Sequence, residues 1–322
     1  MQKLIKAAVV AAVASLALTG CSPTTDNKTV VLVTHDSFAM SDELIHKFEA
    51  ESGYKLKLVK AGDAGSMTNK LILTKDQPFG DAVFGIDNTL IGLAKSNDLL
   101  GAELQPVDFG DVCMNYDIDW FASRNIAAPT NISQLTDSTY KNLTVVQNPA
   151  SSSTGMAFLA TTVAKFGEEG YLSYWKKLKA NGVKVAAGWE DAYFTDFSGS
   201  SGHGRYPIVL SYSSSPAYEV RENGKSQTAS ILDDCYRQTE YAGVLVGARN
   251  PKGAAALVNF MLSEDFQKAI PESMYVYPIG RGIELPKDWE EFAPAARSLV
   301  GSQLDVVKGR KNWISSWSAL FE

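Results

Sequence analysis

Two extended segments of mixed hydrophobicity, Pro106–Tyr116 and Tyr236–Val246, constrain the fold of this chain more than any other feature. Before, between and after them, short apolar runs that suit strands alternate with longer stretches of helical periodicity. Strands that alternate with helices are typical of a parallel α/β sheet. A second α/β unit that is entered and left through two extended segments predicts two lobes joined by hinge strands.

Each predicted lobe is made from two pieces of the chain. Lobe 1 comprises residues 29–113 and 237–300, and lobe 2 comprises residues 114–236 and 301–322. The chain has 322 residues, and a chain of this size can bury a large core and usually forms two domains. The predicted fold class is therefore α/β, with two mixed α/β domains and hinge strands between them.

Local signals mark several helices. Leu44 and Phe48 lie on one face of a stretch that Ser41 precedes and Gly53 follows. We expect Ser41 to cap this helix and Gly53 to end it. Pro251–Ala269 has a strong amphipathic pattern and is predicted to form one helix.

The start of the chain has the pattern of a secretory signal. Two lysines precede the apolar run Ala7–Leu18, which is too short to span a bilayer stably, and small residues precede Cys21. The cut before Cys21 resembles the lipobox of bacterial lipoproteins, in which the cysteine thiol receives a diacylglyceryl group. We therefore predict a signal peptide over residues 1–20, a polar tether over residues 21–28 and a protein anchored outside the cell membrane by lipidated Cys21. An ordinary signal with a chance cysteine is the alternative.

Charge and histidine content exclude two classes of function. The chain has 30 Lys and Arg against 36 Asp and Glu, a net charge of −6, and no block of basic residues, so nucleic acid is not an expected partner. His35, His46 and His203 are the three histidines, and no clustered Cys/His spacing accompanies them. We therefore predict no metal site.

Two cysteines remain after Cys21, namely Cys113 and Cys235. An even pair in an exported chain is interpreted first as a disulfide. Both lie on or beside the two predicted hinge segments, where neighbouring strands can be bridged. Two separate buried thiols are the alternative.

Three aromatic residues lie among small hydroxyl residues, outside any helical or strand periodicity. Trp189 belongs to Gly188–Tyr193, and Tyr212 and Tyr218 belong to Leu210–Tyr218. Aromatic faces with hydroxyl groups between them suit a flat, positively charged organic ligand, since a cation gains roughly 0.5–2 kcal/mol over a well-placed ring. For any single ring, filling of the core is the simpler interpretation.

Polar residues follow two predicted strands of lobe 1. Asp36 and Ser37 follow the first, and Asp87 the third, so they are expected at the carboxyl edge of the sheet, where α/β proteins bind ligands. The aspartates can accept hydrogen bonds from an amine or help to neutralise a cation. A catalytic carboxylate pair is the alternative, but no partner nucleophile or poised histidine accompanies them.

A serine-rich turn precedes an apolar helix in lobe 2. Ser152 and Ser153 lie in Asn148–Gly155, and hydroxyls with free N–H groups at a helix start can hold an anion such as a phosphate. An ordinary N-cap is the alternative interpretation.

Several of these segments together resemble one protein family, the thiamine-binding proteins of bacterial thiamine ABC importers, which have the type II periplasmic binding protein fold. The matching segments occur in the family's order and span nearly the whole chain after the leader. They are Thr34–Phe38, Gly85–Asn88, Asp108–Gly110, Gly188–Tyr193, Leu210–Tyr218 and Ala269–Pro271 with Tyr277–Pro278.

The resemblance implies a substrate-binding lipoprotein, acting as a monomer and without a cofactor, that delivers thiamine or a thiamine phosphate to an ABC permease. Two positions depart from the family: Tyr275 replaces a tryptophan, and Ala150 replaces an arginine of the serine-rich turn. The second departure favours the cation over the phosphate as the recognised group. The predicted ligand contacts are Asp36, Ser37, Asp87, Ser152, Ser153, Trp189, Tyr212, Tyr218 and Tyr275.

Two other functions compete with this prediction. A ferric-iron-binding protein of the same fold would need neighbouring tyrosinates with His or Glu ligands, and Trp189 would have no role in it. An exported hydrolase would need a nucleophile and a base, and the sequence shows no such pair. We therefore predict that the protein is not an enzyme.

Overall fold

A computed structural model of the protein describes residues 28–200, 203–301 and 303–322. The predicted signal peptide, Cys21 and the tether up to residue 27 lie outside these residues. Within the described part of the chain, no helix is long and apolar enough to cross a membrane.

The strands of the described chain form one mixed sheet with the order β2-β1-β3-β8-β4-β7-β5-β6, and β9 pairs with β4. Parallel pairs lie at both ends of the sheet, and antiparallel pairs join them through its centre. The strands are β1 (Thr29–Thr34), β2 (Lys55–Lys60), β3 (Ala82–Asp87), β4 (Gln105–Asp117), β5 (Thr144–Gln147), β6 (Lys184–Ala186), β7 (Ile208–Tyr212), β8 (Thr228–Val244) and β9 (Tyr277–Pro278).

Helices pack on both faces of the parallel part of the sheet that contains β1 and β3. Shorter helical turns of 3₁₀ type lie at Ile132–Thr136, Ser138–Tyr140 and Ser215–Glu219, and a π-helical turn lies at Asp191–Asp196. The α-helices are α1 (Asp42–Ser52), α2 (Ala64–Leu73), α3 (Ile91–Ser96), α4 (Ile118–Ser123), α5 (Ser153–Ala180), α6 (Pro251–Met261), α7 (Glu264–Met274), α8 (Trp289–Phe292) and α9 (Val306–Phe321).

The long strands β4 and β8 connect two halves of the molecule. Their register runs from Gln105 opposite Ala242 to Asp117 opposite Thr228. At one end the pair continues into β3 and β9, and at the other end β4 continues into β7. Strand β4 contains the predicted segment Pro106–Tyr116, and β8 contains Tyr236–Val246 up to Val244. The predicted two-lobed α/β architecture with hinge strands is confirmed. The residue-level boundaries of the lobes stay a prediction.

Separate hydrophobic cores stabilise the two halves. In the first half, Leu32 and Phe84 pack on one face of the sheet, and Val33 and Ile86 pack on the other. In the second half, Trp175 of α5 is fully buried against α9. The paired strands β4 and β8 run between these two cores.

A disulfide bond joins Cys113 of β4 to Cys235 of β8, with their Cα atoms 4.7 Å apart. The strand register shifts between Val112 and Met114, and Cys113 lies at this irregularity. Both cysteines are buried. The predicted disulfide is therefore confirmed, and the alternative of two separate thiols is not what the structure shows.

Pro251–Ala269 does not form the single helix that its amphipathic pattern predicts. The segment divides into α6 and α7, because Ser263 adopts an extended conformation and its hydroxyl caps α7 by accepting a hydrogen bond from the N–H of Phe266. Helix α7 then ends at Tyr275, which has a left-handed φ of 55°. By contrast, Ser41 and Gly53 cap α1 as predicted.

Candidate functional site

A cavity of about 180 Å³ lies between the carboxyl edge of the first half and the loops of the second half. Its lining combines aromatic rings with His35 and three acidic side chains, Asp63, Glu190 and Glu240. A second cavity of about 210 Å³ adjoins it beyond Asp63 and Trp189, which line both. Of the predicted contacts, Ser37, Ser153, Trp189, Tyr212, Tyr218 and Tyr275 line the first cavity.

The aromatic side, called here the aromatic wall, is built mainly by irregular segments of the second half. Trp189 precedes the π-helical turn and stacks on Tyr193 at 4.9 Å between ring centroids. Its indole N–H donates to Oγ of Ser211 at 2.9 Å, which fixes the orientation of the ring. With one face against Tyr193, the other face of Trp189 is available to the cavity. The wall comprises Trp189, Tyr193, Phe194, Tyr212, Tyr218 and Tyr275.

Tyr275 reaches the aromatic wall from the first half of the molecule. Its left-handed backbone at the end of α7 directs the chain toward the 3₁₀ turn of Tyr218. The two rings meet edge to face, with centroids 4.6 Å apart. The backbone carbonyl of Tyr275 also accepts a hydrogen bond from the hydroxyl of Ser214 at 2.6 Å. The structure therefore brings together all four aromatic residues that the sequence predicted.

Two glycines make room for site residues. A Cβ atom on Gly110 of β4 would lie 2.6 Å from Cδ1 of Tyr212. Gly85 lies at a bulge of β3 with a φ of +97°, and a Cβ atom there would lie 2.2 Å from Cδ2 of His35. Any side chain at these positions would displace Tyr212 or His35 from the cavity.

Asp63 links the two halves directly across the cavity. It caps α2, and its Oδ2 accepts the backbone N–H of Trp189 at 2.8 Å while its Oδ1 lies 3.3 Å from the N–H of Ser153. Nearby, the N–H of Ser66 donates to the carbonyl of Ser151 at 2.9 Å. Burial raises the pKa of Asp63, whereas the N–H of Trp189 and the charge of His35 oppose that rise.

Asp63 is not among the ligand contacts that the sequence predicted. A signal was present, since Asp63 follows a strand and precedes a helix, the same criterion that selected Asp36 and Asp87. An aspartate in that position serves as an N-cap and also lies at the ligand-binding edge of the sheet.

A row of three buried carboxyl groups lies behind the acidic side of the cavity. Glu240 of β8 is paired directly with Asp87 of β3 and with Asp108 of β4. We call Asp87, Glu240 and Asp108 the acidic row. Glu240 alone of the three lines the cavity, and its Oε1 lies 3.2 Å from Nε2 of His35. Sequence reasoning missed both Glu240 and Asp108, whose proximity depends on strand register.

The pKa values of Asp87 and Asp108 in the acidic row, and of the neighbouring His35, are all raised. Burial raises the pKa of Asp87 to about 7. Burial and the neighbouring Glu240 raise the pKa of Asp108 well above its ordinary value. Burial lowers the pKa of His35, but its interaction with Glu240, helped by Asp63 and Asp36, leaves that pKa raised.

Three predicted contacts lie away from the first cavity. Asp36 lines only the second cavity, and its Oδ1 accepts the N–H of Gly62 at 3.0 Å. Asp87 is fully buried, and its Oδ1 accepts hydrogen bonds from the N–H and hydroxyl of Thr89. The hydroxyl of Ser152 is buried and shares a hydrogen bond with that of Thr154. A direct ligand contact by these three side chains stays a prediction.

The site chemistry suits an organic cation better than a metal ion or a hydrolytic reaction. Among the residues that the structure describes, no group of three or more His, Cys, Asp or Glu is arranged to hold a metal ion. Burial and the surrounding carboxylates raise the pKa of Tyr212 well above its usual value, which disfavours the tyrosinate that a ferric ion requires. His35 faces Glu240 and not a serine hydroxyl, so it is not placed to activate a serine nucleophile.

Comparison with known proteins identifies the family. Residues 94–298 match the family described as bacterial extracellular solute-binding protein. The thiamine-binding periplasmic protein of Salmonella typhimurium is 30% identical over 321 residues, covering 94% of this chain and 96% of that protein. The chain belongs to the bacterial extracellular solute-binding proteins. This solute-binding protein therefore acts outside the cytoplasm.

Solved structures agree with the family and with the predicted fold. The solute-binding protein matches a periplasmic thiamin binding protein with a TM-score of 0.79 and 27% identity, over 91% of this chain and 96% of the other. It also matches iron-bound HitA from Pseudomonas aeruginosa with a TM-score of 0.70, at 18% identity and over 91% and 99% of the two chains. The second likeness concerns the fold alone. Its architecture is that of the type II periplasmic binding proteins, as the sequence predicted.

Proposed function

We propose that this solute-binding protein captures thiamine in the first cavity and delivers it to an ABC permease. The observation that carries the proposal is a single cavity lined both by the aromatic wall and by the carboxyl groups of Asp63 and Glu240. The named function of the Salmonella relative supports the choice of ligand.

The chemistry of thiamine matches the two sides of the cavity. Its thiazolium ring is flat and permanently positive, and each well-placed aromatic ring adds roughly 0.5–2 kcal/mol to the binding of such a cation. Trp189, Tyr218 and Tyr275 offer these faces. The exocyclic amine of the pyrimidine is a hydrogen-bond donor, and Asp63 and Glu240 are acceptors in the same cavity.

We further propose that the two lobes close over the ligand. The hydrogen bonds from Trp189 and Ser153 to Asp63 join elements of both halves. Opening the cavity requires these bonds to break. A ligand that contacts both sides stabilises the closed arrangement.

We also propose that the protein is anchored by a lipid and acts as a monomer. Cys21 would carry the lipid that holds the protein at the outer face of the membrane, and the protein would act as a monomer. Mass spectrometry of the membrane-extracted protein tests the lipid, because a Cys21→Ser variant should lose the added mass and leave the membrane fraction. Sedimentation of the soluble chain tests the monomer.

Calorimetric titration tests the ligand. Thiamine, its monophosphate and its diphosphate are each titrated into the purified protein, and we expect micromolar or tighter binding of thiamine. Choline is a useful comparison, because it presents a quaternary cation without a pyrimidine and should bind more weakly. The assignment is wrong if none of the three thiamine forms binds at micromolar concentration. Ferric ion is titrated separately, and a charge-transfer colour would favour the iron alternative.

A further inference from the structure

The acidic row has a register that is unfavourable for stability. Asp87, Glu240 and Asp108 are direct partners on three adjacent strands, so their side chains lie on the same face of the sheet. Like charges directly opposite one another destabilise a sheet. All three residues are buried, with Asp87 and Asp108 fully so. Such an arrangement is not what packing alone would favour.

Asp108 is the least satisfied member of the row. Among residues 28–200, 203–301 and 303–322, neither of its carboxyl oxygens has a hydrogen-bond donor. Asp87, by contrast, accepts two hydrogen bonds from Thr89. A buried carboxylate without donors is strongly disfavoured, which favours the protonated form of Asp108 beside Glu240.

Charged and titratable groups face the row from every packed element. Positive charge is scarce there: His35 pairs with Glu240 at the cavity, and Arg310 of α9 interacts with Asp87 at the far end. The remaining neighbours are neutral phenols or further acids. The groups that interact with the row or with His35, or line the same cavity, include His35 and Asp36 after β1, Asp63 at α2, Glu190 before the π-helical turn, Tyr212 of β7, Tyr236 and Tyr241 of β8, and Arg310 of α9.

We propose that Glu240 is the specificity-determining counter-ion for positive charge in the cavity, and that Asp108 is a positioning residue sharing a proton with it until a cation binds. This inference rests on the proposed function. When thiamine binds, the positive charge of its thiazolium ring offsets the negative charge of Glu240 in place of the shared proton. The proton is then released to solvent. A neutral ligand of the same shape leaves the proton in place and gains no such compensation.

The direction of the pH dependence follows from linkage. Burial and Glu240 raise the pKa of Asp108, so the empty protein holds a proton there at pH values where a free carboxyl group is ionised. A nearby cation lowers that pKa. Binding therefore releases a proton, and affinity for the cation rises with pH until the empty protein has already lost the proton.

Calorimetry measures the released proton directly. Thiamine is titrated into the full-length protein in two buffers of different ionisation enthalpy, and the difference in apparent enthalpy gives the number of protons. We expect release of up to about one proton, and an affinity that rises with pH by up to about tenfold per pH unit. Equal enthalpies in both buffers with a flat pH profile would overturn the inference and leave the assignment of thiamine intact.

Substitutions identify the side chain that releases the proton when thiamine binds. Asp108→Asn keeps the Glu240 carboxylate, and we expect it to abolish proton release and flatten the pH profile while thiamine still binds. Glu240→Gln should abolish release and weaken binding at least tenfold. Asp98→Asn removes an exposed negative charge that lines neither cavity, at a left-handed position that Asn tolerates, and it should retain wild-type release.

His35→Gln and Asp87→Asn test the two other titratable partners of Glu240 as sources of the proton. If either variant loses proton release while Asp108→Asn retains it, the proton belongs to that residue and the proposal is wrong. Circular dichroism of each variant checks the fold, and Asp108→Asn keeps the test decisive if Glu240→Gln does not fold. Failure of the wild-type protein to bind thiamine overturns this inference together with the proposed function.

Discussion

The two sides of the cavity are built in opposite ways. The aromatic wall comes mainly from irregular turns, and its rings pack on one another while Tyr218 stays 46% exposed. The acidic row comes from the three central strands of the sheet and is buried, with Glu240 alone lining the cavity. One side consists of apolar surface that is stable without a ligand. The other consists of charge that the fold alone does not favour.

The aromatic wall can therefore adjust to a ligand, whereas the acidic row is held rigidly by the sheet. Side chains on turns can adjust to the outline of a ligand with little effect on the core. Carboxyl groups on paired strands cannot move apart to relieve their repulsion, so the protein keeps them at the expense of stability. Strained or costly groups of this kind are characteristic of functional sites. We therefore expect changes to the wall to alter affinity, and changes to the row to alter pH dependence and stability.

The largest expected effect concerns the strands that carry the row. Cys113 and Cys235 join β4 and β8, the strands of Asp108 and Glu240. The chain-entropy model gives a bond over a separation of 122 residues up to ~5 kcal/mol, although measured values are often nearer 2–4 kcal/mol. The double variant Cys113→Ala with Cys235→Ala should therefore unfold at clearly lower urea concentration. An unchanged midpoint would show that the strands do not depend on the bond.

Removing Trp189 tests the aromatic wall. Trp189→Ala should weaken thiamine binding by roughly 10- to 100-fold, because a cation loses its largest aromatic face and the rings around it lose a packing partner. Calorimetry measures the change. Trp120→Ala is the matched control, since Trp120 packs on Phe121 and Arg124 and does not line either cavity. Equal affinities of Trp189→Ala and the control would remove the wall from the site.

Replacing Asp87 tests whether the row lowers stability. Its pKa is raised to about 7 in the folded protein, against about 3.9 in an unfolded chain. The native state therefore binds more protons between these values, and the contribution of Asp87 to stability falls as pH rises from about 4 to 7. Asp87→Asn can still accept the hydrogen bonds of Thr89. It should raise the free energy of unfolding at pH 8 by about 1–3 kcal/mol.

Thermal unfolding at several pH values decides that prediction. The melting temperatures of Asp87→Asn and the wild type should converge near pH 4 and separate progressively toward pH 8. A constant separation at all pH values would mean that packing, and not ionisation, explains the change.

The smallest effect on affinity is expected for substitutions of Tyr275 in the aromatic wall. Tyr275→Trp enlarges an aromatic face that meets Tyr218, and tryptophan is the strongest partner for a cation. We expect binding to tighten by a few-fold, and Tyr275→Ala to weaken it by a similar factor. A titration that ranks the two variants in the opposite order would place Tyr275 outside the ligand's reach.

Local patterns predicted the parts of the molecule that depend on neighbouring residues. Ser41 and Gly53 cap the two ends of α1 as predicted, because capping depends only on residues within one turn. Trp189, Tyr212 and Tyr218 were recognisable because each lies in a short, distinctive segment. The same reasoning was wrong about Pro251–Ala269, where one serine capped a new helix inside a continuous amphipathic pattern.

Contacts between distant segments could not be predicted in the same way. Glu240 and Asp108 lie on different strands, and a shift of register by one residue would have turned them to opposite faces. Asp63 meets the N–H of Trp189 only because two halves of the molecule come together. Sequence reasoning assigned the carboxylate role to Asp36 and Asp87, and the structure places Asp63 and Glu240 at the first cavity instead.

The disulfide bond closes the middle part of the chain into a covalent ring. Because it joins Cys113 to Cys235, the residues between them form a closed ring from which two linear tails extend. A single peptide bond cut within the ring leaves one molecule until the disulfide is reduced, whereas a cut in either tail releases a fragment at once. Limited proteolysis followed by paired gels with and without reductant therefore sorts every cleavage site into ring or tail before any fragment is sequenced.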